Sequence, residues 1–300
     1  MLAGTVSVKP WTDRNGDISV LKLVTIVALC APGAWLLWAL QFDQLGPRPI
    51  TAAIHEAGDW AIRFLLLSLA ITPLRRIGNW PRLVLIRRMV GLAALFYGIA
   101  HLGLYVADLK FDLPRVASEI VSRIYLTIGF VALMGLAVLG ATSTDRAVRR
   151  LGRNWGRLHK ASYGLAVLAL LHFFMQSKLD VTEAALMSGL FLLAMGYRVA
   201  HWRGYATSVS TLFAVAIIAS LATVGVEAGW YAVATGVKAE RVLLANLDLA
   251  WPLRPAWWVL VVGTVIALLP LVRRRRSRRT ATSRRVSASQ AGGAAVTEAS

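Results

Sequence analysis

The chain has 300 residues, of which 57% are hydrophobic, with 11 Trp and a formal charge of +18. This apolar content excludes an ordinary soluble domain, and the charge does not signify nucleic-acid binding because the basic residues sit in blocks between long apolar runs. The single cysteine, Cys30, lies inside the first run, which excludes an internal disulfide and a cysteine-held metal cluster.

Residues 1–19 lead into the first apolar run, 20–40, which has basic residues ahead of it as a signal peptide would. It is long and is followed by Gln41, Phe42 and Asp43 rather than a small-residue cleavage site, so it reads as a retained helix. Further runs fall at 58–74, 89–108, 122–141, 160–177, 182–200, 207–227 and 255–272, each near the roughly 20 apolar residues that carry a helix across the hydrocarbon layer. Their Leu, Val and Ala content suits helices better than alternating barrel strands. The predicted class is an all-α integral membrane protein with eight spans.

The connectors alternate in basic content. Arginine is dense in 75–88, 145–160, 197–204 and 273–279 and sparse in 41–56, 109–122, 176–182 and 228–254, so the positive-inside rule predicts that the first set and both termini are cytoplasmic. Trp230, Trp251, Trp257 and Trp258 in the last outer segment read as an interfacial aromatic belt. Residues 273–300 lack apolar periodicity and read as a disordered basic tail whose arginines attract anionic lipid. Asp59 with Arg63, and Glu119 with Arg123, stand four apart near helix starts and read as self-neutralising structural pairs.

Two of the five histidines fall deep in the bilayer. His101 and His172 each lie about 12 residues into basic-in spans, roughly 18 Å from the cytoplasmic edge, and are therefore level. Imidazoles facing each other at one depth suit a macrocycle ligated from both sides, since neutral imidazole is a good iron ligand and an apolar wall keeps the group dry. No CxxCH is present, so any haem is b-type, and zinc lacks a third and fourth ligand at that depth. His159 lies about 20 Å further in along its helix and cannot serve the same iron. Its counterpart on the third span falls near Arg87, which is not an ordinary iron ligand. The inner position is thus a second haem with one protein ligand or an unusual one, or a cap in which His159, Arg87 and Arg88 hold propionates or a flavin phosphate. His55 and His201 are interfacial.

The strings "IHEAGDWAIRFLLLSLAITPLRR", "RRMVGLAALFYGIAHLGLY", "SRIYLTIGF", "LGATST" and "LGRNWGRLHKASYGLAVLALLHF" resemble the MsrQ (YedZ) haem proteins, within the ferric-reductase-like transmembrane superfamily. The resemblance runs from about Ile54 to Phe173, with weaker character over 20–204. It implies a six-helix haem-binding core at 20–204 in a bacterial inner membrane, holding haem b, one or two, with His101, His159 and His172 as the matching haem histidines and His55 matching the outer histidine of the second helix. It also implies electron flow from a cytoplasmic flavin reductase or quinol to a periplasmic molybdenum-dependent methionine-sulfoxide reductase, with FMN and quinone as further candidate cofactors. The two spans of 205–272 lie beyond that core.

Independently of the resemblance, no βαβ pattern and no G-x-G-x-x-G follows the sixth span, so electrons must arrive from another molecule. The competing readings are a cytochrome b that reduces iron at the outer face, a proton- or metal-coupled transporter, and a scaffold with packing histidines. The transporter reading lacks helix-centre carboxylates and an inverted repeat.

Overall fold

The computed structural model describes residues 11–12, 17–178, 180–205, 208–249 and 251–271. The basic tail of 273–300 and most of the N-terminal segment lie outside the described residues. The long helices are α1 (Val20–Gln41), α2 (Pro49–Ile77), α3 (Val84–Asp108), α5 (Ile124–Ala141), α8 (Ala161–Gln176), α9 (Thr182–Trp202) and α10 (Val209–Trp230). Short helices α4 (Leu113–Ser122), α6 (Asp145–Leu151), α7 (Arg153–His159) and α11 (Ala239–Ala245) fill connectors, and α12 covers Pro255–Leu271. Seven helices, counting α7 and α8 as one continuous stretch, are long and apolar enough to cross a membrane, and α12 is shorter. At 17 residues α12 stands at the lower limit of about 17–25 for a span. The chain is a multi-pass membrane protein.

Helix ends follow local chemistry. Pro49 opens α2, where its fixed φ suits the first turn and its missing N–H costs nothing. Asp112 caps α4 by accepting from Arg115 N at 3.0 Å, and Ser208 caps α10 through Thr211 N at 3.2 Å. The 29 residues of α2 exceed the expected run 58–74 because polar ends, including His55, Glu56 and Arg75, extend the helix past the apolar stretch at both sides. The loops expected at 109–122 and 145–160 instead fold largely into α4, α6 and α7.

Two packed clusters share α9. In the first, Leu65 and Leu69 of α2, Val90 and Ala94 of α3, and Ala166 and Leu170 of α8 interlock. In the second, Ile77 joins Leu193 and Tyr197 of α9, Leu212 and Ala216 of α10, and Val259 and Ala267 of α12. The second cluster thus packs α10 and α12 against α9. Lipid is as apolar as leucine, so close van der Waals fit holds such helices together. Gly189 of α9 provides it: a Cβ there would collide with Thr223 of α10 and Val259 of α12.

Polar ties add direction. Arg63 of α2 bonds Glu183 of α9 and lies 3.9 Å from Glu56. The expected Asp59–Arg63 pair is thus replaced by a tie between helices, because α9 offers a carboxylate that the sequence spacing of α2 alone did not reveal. Arg198 of α9 donates to Leu69 O at 2.6 Å and to Tyr163 Oη at 3.0 Å. Tyr97 of α3 donates to Leu29 O at 2.9 Å and accepts from Gly33 N at 2.6 Å, docking α1.

Candidate functional site

Helices α2, α3, α5 and α8 surround a cavity of about 550 Å³. Ala61, Ala94, Gly98, Ala132 and Ala169 line its middle, and these small side chains are what leave the space open. His101 projects into it from α3 and His172 from α8, their ring centroids 6.2 Å apart and their planes at 82°.

Each imidazole is aimed by the neighbouring helix. His101 Nδ1 lies 2.7 Å from Ile54 O of α2, and His172 Nδ1 lies 2.8 Å from Tyr125 O of α5. A carbonyl oxygen can only accept, so Nδ1 carries the proton in both rings and Nε2 keeps its lone pair. Four residues after each of those carbonyls stands a glycine. A Cβ at Gly58 would lie 2.9 Å from His101 Nδ1, and one at Gly129 would lie 2.7 Å from His172 Nδ1. The absent side chain is what lets the ring reach the carbonyl. The two devices repeat the same 47-residue separation between carbonyl and histidine. Gly58 and Gly129 are functional residues that the histidines alone do not reveal, and the repeated spacing is the sequence signal for them.

Two unprotonated ring nitrogens lining one apolar cavity can hold one metal ion. Two metal–nitrogen bonds of about 2 Å plus the half-width of each ring require roughly 6 Å between centroids, which the observed 6.2 Å meets. No group of three or more His, Cys, Asp or Glu that could hold a metal ion occurs among the described residues. A metal between His101 and His172 must therefore bring its other ligands with it, as a macrocycle does, and the cavity falls within the roughly 300–1,000 Å³ common for cofactor sites.

The mouth of the cavity, away from the arginine-rich connectors, is polar. His55, Asp59, Glu119, Arg123 and Gln176 line it. Glu119 on α4 accepts from Tyr105 Oη at 2.7 Å and pairs with Arg115 at 3.4 Å and Arg123 at 3.6 Å. The Tyr105 hydroxyl, then the arginines, hold its carboxyl below the ordinary carboxylate range. The expected Glu119–Arg123 pair is present.

The other expected site residues lie elsewhere. His159, at the end of α7, is outside the cavity lining. Its Nδ1 bonds its own helix at Trp155 O (3.2 Å), its Nε2 faces Ser143 Oγ at 3.4 Å, and Trp155 stacks on it with centroids 4.0 Å apart. Arg87 is close enough to His159 to act on it electrostatically. Arg88 turns away to Asp145 at 2.7 Å, lowering that carboxyl's affinity for protons. The structure thus brings His101 and His172 together and keeps His159 with Arg87 apart from them at the basic end. Among the expected belt residues, Trp251 and Trp258 are exposed, while Trp257 donates to Asn246 O at 3.0 Å.

Residues 57–170 match the family model described as ferric reductase like transmembrane component. The chain is 41% identical over 189 residues to the protein-methionine-sulfoxide reductase heme-binding subunit MsrQ of Xanthomonas oryzae pv. oryzae (strain MAFF 311018), covering 61% of this chain and 87% of that protein. It is 43% identical over 192 residues to the subunit of the same name in Xanthomonas campestris pv. campestris (strain 8004), covering 61% and 88%. With that of Polaromonas naphthalenivorans (strain CJ2) it shares 40% over 200 residues, covering 65% and 91%. No solved structure matches the chain.

Proposed function

The chain belongs to the MsrQ family, and from that premise we propose that it is a b-type haem electron-transfer subunit serving the repair of methionine sulfoxide in proteins. The observation that carries the reading is the pair of imidazoles that line one apolar cavity with ring centroids 6.2 Å apart and Nδ1 tied to a helix carbonyl in each. His101 and His172 would hold the haem through their unprotonated ring nitrogens, and haem bound there would supply a one-electron couple. Ile54 O and Tyr125 O fix both tautomers, orient the rings and raise the basicity of Nε2. The apolar wall keeps water from the iron site, and the polar mouth is suited to carboxylate side chains of the macrocycle, with Arg123 as their partner.

In this reading the arginine-rich end faces the cytoplasm of a cell whose inner membrane the protein spans, with both termini inside, and its arginines also meet anionic lipid. Electrons arrive there from a flavin reductase or quinol and leave at the mouth for a periplasmic molybdenum-dependent methionine-sulfoxide reductase. His159, Arg87 and Arg88 belong to the receiving side, as a holder of FMN phosphate or of a second, inner haem. Their support is position: His159 and the half-buried Arg87 share the basic end with Arg76 and Arg198, and the charges of Arg87 and Arg76 both act on Arg198.

The test is spectroscopic. Purified protein should show a reducible Soret band, and the reduced form should be reoxidised quickly by oxidised periplasmic methionine-sulfoxide reductase and slowly by unrelated acceptors. Neutralising Arg75 with Arg76, or Arg87 with Arg88, should slow reduction by a flavin reductase, less so at high salt, because exposed charges are screened over about 8–10 Å. Salt-independent reduction that responds to quinol analogues would assign the donor to the quinone pool. Equal reoxidation by ferric chelates would favour the outer-face reductase that the family-model match also suggests. A colourless protein would overturn the haem reading.

A further inference from the structure

At the arginine-rich end of the bundle, the last turns of α2 and α9 meet the first turn of α10. Arg76 and Ile77 of α2, Arg198 and His201 of α9, Tyr205 of the turn after it and Thr211 of α10 line a cleft of about 20 Å³ there. That volume takes little more than one water-sized group, so only the tip of a ligand enters and the rest of it stays outside.

The lining carries charge that the chain does not cancel. Arg198 is half-buried and held in place: Nη1 donates to Tyr163 Oη at 3.0 Å and Nη2 to Leu69 O at 2.6 Å, with the guanidinium carbon 5.2 Å from the centre of the Tyr163 ring. Both acceptors are neutral, so they fix the group and leave its charge whole. The charges of Arg76 and Arg87 act on it too, and both are of the same sign. Among the described residues no carboxylate pairs with Arg76, Arg87 or Arg198, and Asp145 at this end is taken by Arg88. Like charges gathered beside low-dielectric helix packing raise the free energy of the site, and an anion is what offsets them. The exposed Tyr205 and His201 bring a hydroxyl and an imidazole to the rim, neither side chain hydrogen-bonded to another described residue.

Position selects the class of anion. Because α2 and α9 end here and α10 begins, the cleft lies where the hydrocarbon layer gives way to lipid headgroups. Guanidinium forks suit phosphoryl oxygens, and phosphoryl groups are the anions that headgroups supply at that depth.

We propose that the cleft between the ends of α2, α9 and α10 binds a phosphoryl anion, with Arg76 and Arg198 as its charged neighbours and Tyr205 and His201 as donors at the rim. Two sources share this chemistry, the phosphodiester of an anionic lipid and free phosphate from the aqueous side. The site is separate from the His159, Arg87 and Arg88 position and independent of the haem reading, since binding is measured without any electron transfer.

The test uses the full chain, delipidated in maltoside micelles, with calorimetric titration of dihexanoylphosphatidylglycerol, dihexanoylphosphatidylcholine and inorganic phosphate. At least one of the two anions should bind about tenfold or more tightly than the phosphatidylcholine, whose choline the same arginines repel. Arg76 is exposed and makes no hydrogen bond through its side chain to another described residue, so Arg76→Gln leaves the packing intact. It should weaken anion binding about fivefold, the worth of one arginine near a membrane surface. Arg203→Gln removes the same charge from outside the cleft lining and should change the affinity less than about twofold. Tight binding confined to phosphatidylglycerol assigns a lipid headgroup, and binding of inorganic phosphate as tight or tighter assigns a soluble phosphate. Absence of binding by both anions, no preference over phosphatidylcholine, or equal losses in the Arg76→Gln and Arg203→Gln variants would overturn the proposal.

Discussion

Helices α2 and α3 hold His101 from inside the protein, whereas α5 and α8 hold His172 at its lipid-facing flank. Half of the apolar window of α2 is buried, against 17% for α5. The first pair is anchored further by the Arg63–Glu183 tie to α9 and by Tyr97 to α1, while Ala132, Leu133 and Leu139 are the buried residues of α5. The same aiming device, carbonyl, glycine and imidazole, is therefore built once on a fixed wall and once on a compliant one. Few buried contacts mean a low free energy of local opening, so the α5–α8 wall is the one expected to yield when a planar group enters.

The largest expected effect tests what the two walls share. His101→Ala and His172→Ala should each abolish the low-spin haem spectrum of the purified protein, to the same degree. A low-spin spectrum surviving in either variant would break the equivalence. Next come the glycines. Gly58→Ala and Gly129→Ala each put a methyl against Nδ1 of the opposing ring, so haem affinity measured by titration should fall about 10–100-fold, as for other changes behind a metal ligand. The fall should be larger for Gly58→Ala, since α2 has less freedom to withdraw. Equal losses would show that the two walls are equally stiff.

A third test removes an anchor from one side only. Glu183→Gln should lower stability by about 1–2 kcal/mol, near the low end of the roughly 1.5–3 kcal/mol for a hydrogen bond to a charged group because both side chains are part-exposed. Amide exchange in α2 should then approach that in α5, and no change in the ratio of exchange rates would mean that the tie does not set the difference. The smallest effect concerns the mouth. The carboxyl of Glu119 titrates below its ordinary value of 4.5, chiefly because of the Tyr105 hydroxyl. Its folded-state value is depressed, so its contribution is fully present above 4.5 and is lost as pH falls through the lowered value. Acidification below pH 4.5 should loosen α4, and Glu119→Gln should remove that pH dependence, both followed by exchange of the Val116–Ser122 amides.

The spans and the common depth of His101 and His172 were legible because both follow from length. An apolar run and a rise of about 1.5 Å per residue place a side chain along the membrane normal without any knowledge of packing. What depends on neighbours was not legible in the same way. Arg63 finds Glu183, which is 120 residues away, in preference to its own helix's Asp59. Glu227 sits at the end of an apolar run with nothing local to mark it, because Asn246 and Arg254 reach it only after the outer segment folds back. The short helices α4 and α11 carry too few apolar residues to register as runs. The inner position of His159 was placed by the same depth argument, but its orientation depends on Trp155 and Ser143, and rotation about a helix is what an axial distance does not contain.

The 47-residue interval also says where the chain can change length. Between Ile54 and His101 lie two helical stretches and the turn at 78–83; between Tyr125 and His172 lie two more, with α6 and the bend at Gly152. An extra residue within a helix rotates everything beyond it by about 100°, which would swing the imidazole out of the cavity and away from its carbonyl. An extra residue in a turn leaves both helices in phase. Length variation among working versions of this protein should therefore collect in those two connectors, and a one-residue insertion after Asn79 should be tolerated where one after Val90 is not.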